Sequence, residues 1–186
     1  LDITINGTIS TPVTTPTPTK PPSNCPAVGP GNAINHGVQL VGYGSGTTGG
    51  GGNNTTTVSS RSQLESALQS NRTIYVNGTI SGSGMIQVKD ESNISVIGVG
   101  SNGRFQGVGL SFIRTSNIII QNLSFENCSE DAINIENTTR AWIDHNTFST
   151  SVNWEDCDSG SVKNQFDGQI DIKKNSRDVT VSFNYV

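Results

Sequence analysis

Ile118-Ile119-Ile120-Gln121-Asn122-Leu123-Ser124-Phe125 is followed 23 residues on by Ala141-Trp142-Ile143-Asp144-His145-Asn146-Thr147-Phe148, and later by Val179-Thr180-Val181-Ser182-Phe183-Asn184-Tyr185-Val186. Each stretch joins an apolar, β-prone triplet to an Asn-bearing step and then to a second apolar or aromatic residue. Two earlier triplets, Ile74-Tyr75-Val76 and Ile94-Ser95-Val96, extend the series, and the five starts lie 20, 24, 23 and 38 residues apart. A nearly constant spacing of this size describes a chain that returns to the same place on every coil, and the last interval is one coil with an insertion, Ser149 to Phe166. Stacked coils of this length form an all-β parallel β-helix, with apolar side chains alternating inward and Asn free to stack at the turns. A β-sandwich is the competing all-β fold. It requires strands about 8 to 12 residues apart and tight hairpins, whereas long irregular arms separate the segments here.

Composition agrees. Of 186 residues, 21 are Gly, 23 Ser, 20 Thr and 20 Asn, while 32% are hydrophobic and 14% charged. A helical bundle needs far more Leu, Ala, Glu and Lys. No run of 18 apolar residues is present, so no membrane partner is expected. The chain starts at Leu1 without a leader and reads as already trimmed. Residues 11–26, TPVTTPTPTKPPSNCP, form a stiff Thr/Pro linker that cannot pack. The Gly-rich stretch that follows, with its extreme at Gly46 to Gly52, lacks the Lys-Ser/Thr of a phosphate loop and reads as a tight surface loop. One amphipathic helix is expected over Ser60 to Gln69, with Leu64 and Leu68 on one face and Ser59 or Ser60 as its cap.

The formal charge is only −4, but it is unevenly placed. Between Glu126 and Asp171 ten acids face two bases, Arg140 and Lys163, a local charge of −8. That argues against nucleic acid as a partner and for a bound cation or plain solvation. Asp167-Gly168-Gln169-Ile170-Asp171-Ile172 lies one coil beyond Glu130-Asp131-Ala132-Ile133-Asn134-Ile135. Neighbouring coils stack at roughly 4.8 Å, and residues four apart on a strand share a side, so Asp131, Asp167 and Asp171 can converge. Three converging carboxylates repel one another unless a hard cation neutralises them, and an all-oxygen set selects Ca²⁺ over zinc. The plain alternative is acids covering a solvent face.

Cys25, Cys128 and Cys157 lack zinc-site spacing and leave their pairing open. Asn-x-Ser/Thr acceptors at Asn6, Asn53, Asn54, Asn71, Asn77, Asn93, Asn122, Asn127 and Asn137 point to a secreted glycoprotein, although Asn122 falls inside an expected strand and is then unusable.

Trp142-Ile143-Asp144-His145, followed by the segments at Asp167 to Ile172 and Val179 to Ser182, resembles the pectate lyases, and the stretch from Gly46 through Ser60 is similar to their fungal members. The resemblance covers about Val41 to Val186. It implies a right-handed parallel β-helix, here the N-terminal part of the solenoid with a short helical cap, preceded by a linker at 1–28 and occupying 29–186. It also implies Ca²⁺ held by Asp131, Asp167 and Asp171; the related pectin lyases lack such acids, so the set favours demethylated over methylated substrate. The implied activity is β-elimination in polygalacturonate, the demethylated pectin of plant cell walls, by a secreted monomer with an alkaline optimum. The family's arginine base and its lysine and arginine helpers fall beyond Val186, so no catalytic residue is assigned, and the chain itself is expected to be a truncated, inactive part of a lyase. The rival class is a non-catalytic β-helix that binds acidic polysaccharide or serves as a surface antigen.

Other candidates carry less. Arg140 and Arg177 sit at coil corners and match no catalytic motif. Lys173 and Lys174 could reach an anionic sugar, with solvated turn charges the plainer alternative. Asp144 and His145, adjacent on a strand, should point to opposite sides and have structural roles. Trp142 reads as core or coil stack, Trp154 as sugar stacking or loop packing, and Glu130 as a cation ligand or a solvated acid. A Cys128–Cys157 bridge would pin the insertion, with Cys25 competing for either partner; His36 carries no motif.

Overall fold

The computed structural model describes residues 40, 42–52, 54–151 and 168–186. The linker, Asp167, Cys25, Cys157, Trp154 and His36 lie outside the described residues. The chain enters through a short 3₁₀ turn, Tyr43–Gly46, and then runs through β1 (Thr55–Val58), α1 (Arg61–Ala67), β2 (Arg72–Ser81), β3 (Met85–Lys89), β4 (Ser92–Gln106), β5 (Gly109–Ile113) and β6 (Ser116–Gln121). It continues through β7 (Ser124–Glu126), β8 (Ile133–Glu136), β9 (Thr139–Asp144), β10 (Thr147–Ser149), β11 (Ile170–Lys173) and β12 (Arg177–Ser182). Every pairing between these strands is parallel. One face carries the order β1-β2-β4-β6-β9-β12; the far ends of β2 and β4 lead into a second face with β7 and β10; the third is β3-β5-β8-β11. The fold is the expected parallel β-helix.

Its period follows from the register. Ile94, Ile118, Ala141 and Val179 are direct neighbours, as the triplet spacing requires, but Ile94 faces Arg72 and Ile74 faces Val96. The first interval of the series is therefore offset by two residues. An offset of two keeps every side chain on its own face of the strand, so the inward pattern survives. Inside the coils the rungs are Ile74, Val96, Ile120 and Ile143 on the first face and Ile86, Leu110, Ile133 and Ile170 on the third, with all but the partly buried Ile170 fully enclosed. On the second face Phe105, Phe125 and Phe148 stack with centroids 4.8 and 5.3 Å apart. Parallel in-register strands bring like residues into contact, so an aromatic at one coil position favours an aromatic at the next.

The corners explain the Asn content. At the entry to the first face Asn71, Asn93 and Asn117 all have φ near +60°. Asn93 Nδ2 donates to Asn71 Oδ1 and Asn117 Nδ2 to Asn93 Oδ1, each at 2.7 Å. Asn tolerates the left-handed conformation better than other non-glycine residues and supplies a donor and an acceptor for stacking. Asn122 occupies the next corner, with φ 55°, and not a strand as expected. It is still a poor glycan acceptor, because its Nδ2 donates to the carbonyls of Gly98 and Gly100.

The helix is capped as expected: Ser60 Oγ accepts from the Gln63 amide, and Leu64, Ala67 and Leu68 are buried against the first coil. It ends at Ala67, two residues earlier than the pattern suggests. The Gly-rich segment is more than a surface loop. Its amides cross the first face rung by rung: Gly44 donates to Thr180 Oγ1, Thr48 and Gly49 to Asn117 Oδ1, Gly50 to Ser95 Oγ and Gly52 to Thr73 Oγ1, at 2.7 to 3.2 Å. The approach excludes side chains, since a Cβ on Gly49 would lie 2.0 Å from Ser95 Oγ and one on Gly50 2.1 Å from the Arg72 carbonyl.

Candidate functional site

The third face carries the acids. Its inward rungs are apolar, so the alternation of the strand leaves Ser111, Asn134 and Asp171 as consecutive outward rungs, with Ile113, Glu136 and Lys173 beside them. Asp131 lies just before β8, in register with Gly168, and the Gly168 carbonyl accepts from the Ala132 amide. Asp131 and Asp171 meet over Gly168. A Cβ placed there would fall 2.8 Å from Asp171 Oδ1 and 3.0 Å from Asp131 Oδ1, so the absence of a side chain opens a small oxygen-lined gap between the two carboxylates.

Lys173 spans the same pair. Its ammonium is 3.3 Å from Asp171 Oδ2 and 3.8 Å from Asp131 Oδ2. Burial works to lower the pKa of Lys173, but the hydrogen bond to Asp171 and the charges of Asp131, Asp171 and Glu136 outweigh it and raise the value. Lys174 pairs with Glu136, whose carboxyl is held below its ordinary range first by that hydrogen bond. The two lysines are therefore partners of acids and not simply solvated turn charges. Lys173 was legible in principle, since its two-residue spacing from Asp171 puts both on one side of β11.

Two hard carboxylates with a side-chain-free gap between them, already attracting a positive group, form a donor set that fits Ca²⁺. Among the described residues no three His, Cys, Asp or Glu side chains converge as a metal cluster, and the third expected acid, Asp167, is outside them. Glu130 does not join the pair. It is exposed and extends toward Gly84, whose Cβ would lie 3.6 Å from Glu130 Oε1.

Asp144 and His145 do touch, contrary to expectation. The strand stops at Asp144, and His145 takes φ 53° at the corner, which turns its Nδ1 back onto Asp144 Oδ2. Asp144 is fully buried and also accepts from Ser182 Oγ at 2.6 Å and Gln121 Nε2 at 3.3 Å, while the His145 ring packs on Phe183. Trp142 is an enclosed outward rung between Ile119 and Thr180. Arg140 occupies a left-handed corner, and Arg177 begins β12 beside Asp178. Cys128 is a buried free thiol pushed up to about 11 by burial, with Sγ 3.3 Å from the Val108 carbonyl.

The sequence profile of the pectate lyase family matches residues 31–186. The chain belongs to the pectate lyase family. Its pectate lyase relatives include a pectate trisaccharide-lyase of Bacillus licheniformis, 40% identical over 154 residues, with 76% of this chain and 43% of the relative covered. A probable pectate lyase A of Aspergillus niger is 40% identical over 153 residues, covering 78% and 45%. This bacterial and this fungal pectate lyase are thus similar to the chain at the same identity. Among solved pectate lyases, one from Bacillus sp. N165, in complex with trigalacturonate, superposes with a TM-score of 0.67 at 35% identity, over 76% of this chain and 51% of that one. The chain spans about half the length of these relatives.

Proposed function

We propose that this chain is the N-terminal part of a secreted, Ca²⁺-dependent pectate lyase that opens polygalacturonate by β-elimination, acting as a monomer without nucleic acid or membrane partners. The observation that supports this most is the convergence of Asp131 and Asp171 over Gly168 in a chain of this family. Asp131, Asp171 and, by family resemblance, Asp167 would hold the cation. When bound, the cation would supply positive charge that draws electron density from the sugar's C5 and makes its proton more acidic.

The remaining work falls to the chain's own residues. A polyanion is repelled by the local −8 charge, so the Asp131–Asp171 pair must be neutralised before sugar can approach. Lys173 holds that place through its contacts with both acids, and once released its ammonium would be available to pair with a uronate carboxylate. In β-elimination the C5 proton and the C4 oxygen leave and no water is consumed. The resemblance puts the arginine that removes the proton beyond Val186, so these coils bind and orient the substrate. Secretion is supported by exposed glycan acceptors at Asn54, Asn77 and Asn137.

The test is ultraviolet absorbance from unsaturated uronides when the full-length gene product is given polygalacturonate. Release with Ca²⁺ that stops on chelation is the expected result. No absorbance under either condition, with polysaccharide still bound, would establish the non-catalytic binder instead.

A further inference from the structure

Asn134 lies directly between Ser111 and Asp171 on the outward side of the third face. The residue is only 6% exposed, and its Nδ2 donates to Ser111 Oγ at 2.7 Å. Its Oδ1 is buried with no hydrogen-bond partner. Buried acceptors without a donor are few in native proteins, and each asks for a reason. With the amide nitrogen held by the preceding coil, the oxygen is left for the side of the following one, where Asp171 stands. Two acceptors side by side repel unless positive charge lies between them.

We propose that Asn134 Oδ1 is a neutral protein ligand of the cation held by Asp131 and Asp171. This rests on the Ca²⁺ reading above. Ca²⁺ takes six to eight oxygens and accepts amide carbonyls beside carboxylates. A neutral oxygen fills a coordination place without adding to the local negative charge, so it adds no further repulsion against a uronate. Ser111 is then a positioning residue: its Oγ takes the amide N–H and so fixes which end of Asn134 faces the ion.

The experiment is titration of the 186-residue chain with Ca²⁺ by calorimetry and with Tb³⁺ by luminescence, where lifetimes in H₂O and D₂O count the waters on the ion. Asn134→Ala should lower affinity about ten- to a hundredfold and admit an additional water to the ion. Asn134→Thr, whose hydroxyl is too short to reach and whose branched carbon suits a strand, should do the same if the Ala variant does not fold. Unchanged affinity, or weaker affinity with an unchanged water count, would overturn the proposal, the latter meaning that Asn134 only supports Asp171. Tighter binding would also overturn it, by showing that the amide presents its N–H to the acids. In all three cases, an Asp171→Ala variant that still loses the ion preserves the metal centre. A wild type that binds no ion removes the Ca²⁺ reading and this inference with it.

Discussion

The first and third faces of the coil are built from the same repeat yet finish their outward sides in opposite ways. On the first face Thr73, Ser95, Asn117 and Thr180 accept hydrogen bonds from the amides of the Gly-rich strap, and no charge is needed to close the surface. On the third face the outward rungs end in Asn134, Asp171, Glu136 and Lys173, and charge meets charge or an open gap. The coil period decides which residues face outward. What those residues do depends on what is laid across them: on the first face a strap of backbone donors makes a structural wall, whereas on the third, among the described residues, the carboxylates meet the ammonium groups of Lys173 and Lys174.

The contrast can be broken first at the core that both faces share. Phe125→Ala empties the middle of the Phe105–Phe125–Phe148 stack and should cost about 3–5 kcal/mol in chemical denaturation, with both faces lost together. Gly50→Val tests the closed face alone. Its side chain would strike the Arg72 carbonyl, lift the strap and lower stability by about 2–3 kcal/mol, while Ca²⁺ affinity stays at the wild-type value. Next is a pH effect. Because Cys128 is raised from 9.0 to about 11, its neutral thiol contributes stability below the ordinary thiol pKa that is lost as pH rises from 9.0 toward 11. Cys128→Val should flatten that part of the stability profile. Asn93→Ala removes two rungs of the corner ladder, and about 1–2 kcal/mol should disappear from the melting transition, again without changing ion affinity. The smallest effect sharpens the open face: Lys173→Met removes a half-exposed competitor of the cation, so Ca²⁺ should bind a few-fold more tightly, by under about 1 kcal/mol in calorimetry, with stability nearly unchanged.

Much of the fold was legible because its inward residues obey a period. Ile94, Ile118, Ala141 and Val179 sit in register at the spacing read from the sequence. The two-residue slip at Ile74 was invisible, since a shift of two preserves the apolar pattern. The corners were harder. A left-handed φ at His145 folds its ring onto Asp144, and strand alternation, which forbids that contact, no longer applies once the strand has ended. The sequence alone suggests a loop for the strap because glycine carries no side-chain pattern; its role is written in the Thr, Ser and Asn rungs that receive its amides. At the site, Asp131 and Asp171 do come together, though Asp171 is in register with Asn134 and Asp131 with Gly168. Lys173 is legible from its two-residue spacing to Asp171, whereas Asn134 cannot be weighted without knowing that Asp171 opposes it.

The most direct test of the central claim is polygalacturonate binding by this chain across a Ca²⁺ titration, in wild type and Asp171→Ala. Binding that rises with Ca²⁺ in the wild type, and is lost in the variant while its fold is retained, is the expected result. Binding independent of Ca²⁺, or equal in the two proteins, would contradict the account.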